Sequence, residues 1–253
     1  MSRRAIDLNA DLGEDPAHLE RDALLLTLVS SANVACGGHA GDVASMRALA
    51  RRCSEHGVAL GAHPSYPDRV TFGRRELGLS ASAIESAVFE QVAALAAVAR
   101  EEGVRLAHVK PHGALYHACS RRGEVASAFG RALRALDPRL RLVAQAGSPA
   151  LTLWRSMGFC VAAEAFADRR YEPDGELRTR LVAGALLEAP EQAAEQAARI
   201  ALGQGALLED GSVLSLAADT LCLHGDTPRA LDIARAVRAA LESAGVRVEA
   251  LTG

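Results

Sequence analysis

Ala5-Ile6-Asp7-Leu8-Asn9-Ala10-Asp11-Leu12 alternates aliphatic and polar residues without a break. Side chains of a strand point alternately to its two faces, so Asp7, Asn9 and Asp11 share one face and Ile6, Leu8, Ala10 and Leu12 the other. Six more apolar runs follow: Ser31 to Cys36, Val58 to His63, Leu106 to His112, Leu140 to Ala146, Phe159 to Phe166 and Val213 to His224. Each ends in a knot of Asp, Glu, His, Lys or Gly, and most knots open into a helical stretch. Chemistry-bearing residues gathered at the carboxyl ends of successive strands predict a parallel sheet with its site on one face.

Helical periodicity fills the gaps. Asp42 to Glu55 starts at an acidic cap and stops at His56-Gly57; Ser80 to Glu102 carries Ile84, Val88, Val92, Leu95 and Val98 on one stripe. Pro190 to Leu202 and Thr227 to Ala244 each have a proline near the first turn. Strand and helix alternate from end to end, the pattern of an α/β fold. An open nucleotide-binding sheet would carry G-x-G-x-x-G or G-x-x-x-x-G-K-[ST] after its first strand, and neither occurs. Polar strand ends on nearly every run instead favour a ring of loops around one mouth, a TIM-like β/α barrel of seven strands with Val246 to Leu251 as a short eighth candidate. No Ser- or Pro-rich linker divides the chain, so residues 1–253 are expected to form a single domain.

Composition excludes several partners. At 253 residues and 49% hydrophobic, the chain can bury a barrel-sized core. Its net charge of -3 leaves no basic stripe to neutralise phosphates, so nucleic acid is not an expected partner. No apolar run reaches the roughly 18 residues that span a bilayer, and Asp7, Asn9 and Asp11 interrupt any signal core after Arg3-Arg4. Five scattered cysteines without a Cys-x-x-Cys pair are expected to be reduced thiols of a soluble, cytoplasmic protein.

Three knots carry most of the chemistry. Asp7-x-Asn9-x-Asp11 fits the first half of a calcium loop, but Leu12 stands where its glycine belongs and no glutamate closes it. Cys36-Gly37-Gly38-His39-Ala40-Gly41-Asp42 joins a strand to a helix through three glycines; it brings backbone close to a ligand, offers helix-start N–H groups to an anion and sets His39 at the mouth. Asp42 alone would also explain that turn as a simple cap. Gly61-Ala62-His63-Pro64 repeats the arrangement one strand later. His108-Val109-Lys110-Pro111-His112-Gly113 is the densest knot. Its i, i+4 histidines lack the glutamate of a zinc-protease helix, and Pro111 keeps Lys110 extended, so His108, Lys110 and His112 share one side of a strand end. A lysine inside a barrel mouth is costly unless it meets a carboxylate, phosphate or polarised carbonyl. Glu164 and Asp168 flank Phe166, with Arg169-Arg170-Tyr171 behind; Asp219 and His224-Gly225-Asp226 finish the seventh run. Arg69, Arg74 and Arg75 lie on a loop that is either a solvated basic patch or an anion site.

Taken together, Asp7 to Glu14, Ser31 to Asp42, Gly61 to Pro64, Phe72-Gly73-Arg74-Arg75, Val109 to Tyr116 and His224 to Pro228 strongly resemble the lactam-utilisation family, now described as the A subunit of 5-oxoprolinase. The resemblance covers almost the whole chain. It implies a distorted seven-stranded β/α barrel related to sugar deacetylases, and ATP-dependent opening of 5-oxoproline (pyroglutamate) to L-glutamate with two partner subunits. The chain departs from the family at Gly38, where an aromatic is usual, at Asp15-Pro16-Ala17, and at His117 in place of asparagine.

With that activity in view, Asp11 or Glu14 is the expected base for water, His63 or His112 the proton carrier, and Lys110 with the amides near His39 the stabiliser of negative charge. Asp7, Asn9, His39, Arg74, Glu164, Asp168, Asp219 and His224 are the expected substrate-binding residues. ATP is either used by a partner subunit or bound here unconventionally, and self-association into a homo-oligomer is left open. Two rival readings stand beside this one. The first is a metal-dependent amide hydrolase with a divalent ion on His39, His63, His112 and an aspartate; the second is a non-catalytic subunit that only binds 5-oxoproline.

Overall fold

The computed structural model describes residues 4–180, 182–227 and 229–251. The alternating segment forms β1 (Ala5–Leu12), followed in the sheet by β2 (Ser31–Ala35), β3 (Ala59–His63), β4 (Leu106–Val109), β5 (Arg141–Gln145) and β6 (Val161–Phe166). After an antiparallel hairpin of β7 (Ala206–Leu207) and β8 (Val213–Leu214), β9 (Thr220–His224) pairs in parallel with both β6 and β1. That double pairing closes a seven-stranded parallel barrel. β10 (Arg247–Val248) adds only two residues beside Ala5 and Ile6, so the eighth candidate trims the rim and does not widen the ring.

Around the barrel run α1 (Leu19–Leu26), α2 (Val43–His56), α3 (Ala81–Glu101), α4 (Gly113–Arg121), α5 (Gly123–Leu136), α6 (Pro149–Ser156), α7 (Pro190–Ala201) and α8 (Ala230–Ser243). The Asp42 carboxylate accepts from the Ser45 N–H while the Ser45 hydroxyl accepts from the Asp42 N–H, a capping box that fixes the start of α2; Gly57, at φ 67, ends it in the left-handed region. α8 begins three residues after the expected Thr227, and Pro228, expected in its first turn, lies outside the described residues.

Two expected strands are shorter for local reasons. The run to His112 stops at Val109, because Pro111 donates no N–H and restricts Lys110. The run from Val213 to His224 is two strands: Val213 and Leu214 turn back onto β7, and the barrel strand starts only after the Asp219 carboxylate has accepted from the Ala163 N–H at 2.8 Å.

The barrel has two unlike interiors. Outside it, Leu8, Leu12, Val34, Leu60, Val109, Leu142 and Leu221 are buried under the helices, each such burial being worth about 1.5–3 kcal/mol. α3, at 21 residues, is long and apolar enough by length and composition to cross a bilayer. Its Ile84, Val88, Val92 and Leu95 are instead buried in this shared core. Inside the ring, where barrels usually pack aliphatics, polar residues stand in layers.

Candidate active site

The deepest layer is a carboxyl group in a ring of hydroxyls. Asp7 accepts from Ser31 Oγ at 2.6 Å, Ser30 Oγ at 2.7 Å and Thr220 Oγ1 at 2.5 Å, and burial pushes its carboxyl above the usual carboxylate range. Above it, Asn9 donates to Glu164 at 3.1 Å and to Thr220 at 2.7 Å, and accepts from Asn33 at 2.7 Å. His108 Nε2 donates to Asn33 Oδ1 at 2.8 Å. Only glycine fits at residue 61, where a Cβ would lie 2.1 Å from the His108 ring nitrogen.

Lys110 occupies the next layer, its ammonium 2.9 Å from Asp11 Oδ1, 2.9 Å from Glu164 Oε1 and 3.0 Å from Cys222 Sγ. Burial alone would lower its pKa, but the surrounding negative charge, led by Asp11, holds it well above the ordinary lysine value. Burial likewise opposes ionisation of Asp11, yet positive charge on His63 and Lys110 outweighs it and keeps that carboxyl well below the usual range. Tyr116 donates to the second oxygen of Glu164 at 2.9 Å. Burial pushes the Cys222 thiol up, so it stays protonated and is a weak acceptor beside two strong ones.

At the mouth, three imidazoles meet two carboxylates. His63 Nδ1 donates to the Lys110 carbonyl at 2.8 Å, and His112 Nε2 donates to the Phe72 carbonyl at 3.0 Å. Those bonds turn His63 Nε2 and His112 Nδ1 towards each other, 3.1 Å apart. Asp11 Oδ2 lies 3.3 Å from the first, and Glu14 Oε1 3.3 Å from the second and 3.1 Å from His39 Nε2. His39 stacks on His112 with ring centroids 3.6 Å apart. Burial, reinforced by neighbouring positive groups, keeps His39 and His112 well below the ordinary histidine value, and burial raises the Glu14 carboxyl. Were both rings neutral, these nitrogens would present facing lone pairs, and one proton between them or one cation satisfies both. Asp11, Glu14 and His63, and separately Glu14, His39 and His112, each bring their ligand atoms within 4.8 Å, a nitrogen and oxygen set that fits a divalent ion such as zinc.

This mouth opens into a cavity of about 490 Å³ lined by Asp11, Glu14, His63, Lys110 and His112 below and by Arg74, Arg169, Arg180, His224 and Asp226 above. The expected catalytic set is therefore gathered in one place, although Asp11 and Lys110 are 99 residues apart.

The expected substrate-binding set is not. Arg74 and His224 line the cavity, but Asp7, Asn9 and Glu164 lie inside the barrel, where they orient Lys110 and its neighbours. His39 reaches the site through Glu14, and Asp168 is spent on His224, accepting from its N–H and Nδ1 at 2.9 Å each. Asp219 is exposed at the opposite end of β9 from His224. Two local arrangements shape this rim. At the start of α2 the Ser45 N–H is taken by the Asp42 carboxylate and the Asp42 N–H by the Ser45 hydroxyl, so those two amides are not free for an anion. Gly38 leaves room for Gln91, which bridges the Ser65 N–H and carbonyl where any Cβ would clash.

Several contributors were absent from the expected set. Asn33 shares the period-two alternation of β1 and could have been found by it. Tyr116 on α4, Cys222 on β9 and the loop residues Arg169, Arg180 and Asp226 owe their roles to contacts between segments distant in sequence, which one strand's pattern does not encode.

The sequence model of the LamB/YcsF family matches residues 6–253. A protein of Chloroflexus aggregans, named as the A subunit of 5-oxoprolinase, is 50% identical over 96% of this chain and 98% of its own. The crystal structure of a lactam utilization protein from Thermus thermophilus superposes with a TM-score of 0.90 at 43% identity, covering 98% of this chain and all of that one. A family 4 carbohydrate esterase from Streptomyces lividans shares the barrel alone, with a TM-score of 0.52 at 12% identity, covering 98% of this chain and 93% of that one.

Proposed function

Because this chain belongs to the LamB/YcsF family, we propose that it is the component of a 5-oxoprolinase that binds 5-oxoproline and opens its lactam ring to L-glutamate, with ATP and two partner subunits. The observation that carries the proposal is the ammonium of Lys110, buried on two carboxylates and a thiol at the floor of a cavity whose other floor groups are acceptors. A lactam carbonyl is a weak electrophile and its nitrogen a poor leaving group. Transfer of a phosphoryl group from ATP to the carbonyl oxygen activates the carbon. Water adds there, the C–N bond breaks as the ring nitrogen takes a proton, and a second water hydrolyses the resulting acyl phosphate to the carboxylate and phosphate. The sequence has no glycine-rich phosphate loop that would mark where ATP binds.

The residues divide the remaining work. Cys222 is the weakest of the three acceptors on Lys110, so the substrate carbonyl replaces it and Lys110 carries the developing negative charge. Asp11 or Glu14 takes the proton of the attacking water, and His63 or His112 carries a proton to the ring nitrogen. Asn9, Asn33, Glu164 and Tyr116 keep Lys110 and Asp11 in place.

The test is incubation with 5-oxoproline and ATP, with and without the partner subunits, measuring glutamate. Glutamate that appears only with ATP and partners supports the reading; none in any combination rejects it. The facing lone pairs of His63 and His112 favour one second reading, a metal-dependent amide hydrolase that needs no ATP. Stoichiometric metal in protein purified without added metal, together with ATP-independent hydrolysis, would establish it.

A further inference from the structure

Above the catalytic floor, the cavity wall holds more positive than negative charge. Arg74 and Arg180 both bind Asp226 Oδ2, at 2.7 and 2.9 Å, and so share one carboxylate. Asp168 is engaged by His224 and by Thr227 Oγ1 at 3.2 Å. Arg121 is drawn outwards to Glu176 at 3.2 Å, and Lys110 is committed below. Arg169 is different. It is 6% exposed and lines the same cavity, yet among the described residues it has no carboxylate within ion-pair distance. Its Nη2 donates to the Arg178 carbonyl at 2.6 Å, while its Nε is buried without a partner. Burial and the nearby Arg180 lower its pKa, and the Asp168 carboxylate, which is bound to His224, only partly opposes them.

A buried guanidinium without a counter-ion is costly, and its planar fork matches a carboxylate. We infer that Arg169, on the segment after β6, is an anion subsite that takes the carboxylate of the substrate and fixes which face of the ring meets Lys110. The inference rests on the lactam reading for the identity of that carboxylate. It makes the site selective for cyclic amides that carry an acid, against the same ring without one.

Calorimetric titration of the purified chain tests it, with 5-oxoproline, 2-pyrrolidinone (the ring without its carboxylate), an N-acetyl amino acid and inorganic phosphate as probes. Arg169→Gln is expected to weaken 5-oxoproline by about 10- to 100-fold and to leave 2-pyrrolidinone unchanged. Arg169→Lys, which keeps the charge but not the fork, is expected to fall between and guards against a Gln variant that does not fold. Equal 5-oxoproline affinity in wild type and variant overturns the subsite and leaves the proposed function standing. An equal loss for both lactams means that Arg169 only shapes the loop, which also overturns it. Arg169-dependent phosphate binding that 5-oxoproline does not displace assigns the anion to phosphate and rejects the carboxylate. If the wild type binds neither lactam but binds the N-acetyl amino acid through Arg169, the subsite stands and the lactam reading falls; if no probe binds, the subsite falls.

Discussion

Lys110 has three ammonium protons and three acceptors, two of them carboxylates. Its removal strands Asp11 and Glu164 in the barrel, and breaking a buried pair from one side costs about 3–5 kcal/mol. Lys110→Met is therefore expected to lower unfolding free energy by about that much in denaturant titration, beyond any loss of activity. Acid acts on different residues. Burial holds His39 and His112 well below the ordinary histidine value and takes His108 down to about 3. An unfolded histidine titrates near about 6.5, so below that pH the unfolded chain binds protons that these folded rings refuse. Their contribution to stability is whole above about pH 6.5 and is lost as pH falls towards the folded values. The raised carboxyls of Asp7, Glu14 and Asp22 act in the opposite sense, so a variant isolates the effect. His108→Gln is expected to reduce the slope of unfolding free energy between about pH 5.5 and 4.5 by close to one proton, as chemical denaturation at each pH would measure. Among single residues, those that alternate along β1 or stand at a strand end were legible. Arg169 was not, because its significance lies in carboxylates that go elsewhere.

At the level of elements, α2 shows how a local rule displaced a functional expectation. Three glycines before a helix suggested free amides for an anion, but a reciprocal cap takes two of them, the N–H groups of Asp42 and Ser45. Asp42→Ala is expected to cost about 0.5–2 kcal/mol in thermal unfolding and to weaken the site mainly by loosening the loop that carries His39. Four helices were readable in the sequence: α2 and α3 from stripes and side-chain caps that agree, and α7 and α8 from a proline near the expected first turn, without a side-chain cap. α1, α4 and α6 follow their strands closely and were foreseen only as helical continuations of the knots; α5, which follows α4 directly, was not foreseen. The split of Val213 to His224 escaped because β7, which draws Val213 and Leu214 away, is two residues long and leaves no periodic trace.

For the whole molecule, the closed ring follows from one repeated feature, polar residues at the carboxyl ends of parallel strands, which was visible from end to end in the sequence. The pairing of β9 with β1 turns that linear list into a single rim. The interior polar column, Asp7 to Asn9 to Asp11 crossed by Asn33, His108 and Glu164, replaces the usual aliphatic filling and makes the barrel a rigid mount for Lys110. Kinetics of the reconstituted complex with Asp11→Asn, which keeps shape and removes charge, test that account most directly. Glutamate release from 5-oxoproline is expected to fall by about 10²- to 10⁴-fold in kcat, as loss of a group that positions water and proton carriers requires. A kcat within about threefold of wild type would contradict it, because Asp11 would then be part of the scaffold and the chemistry would lie elsewhere.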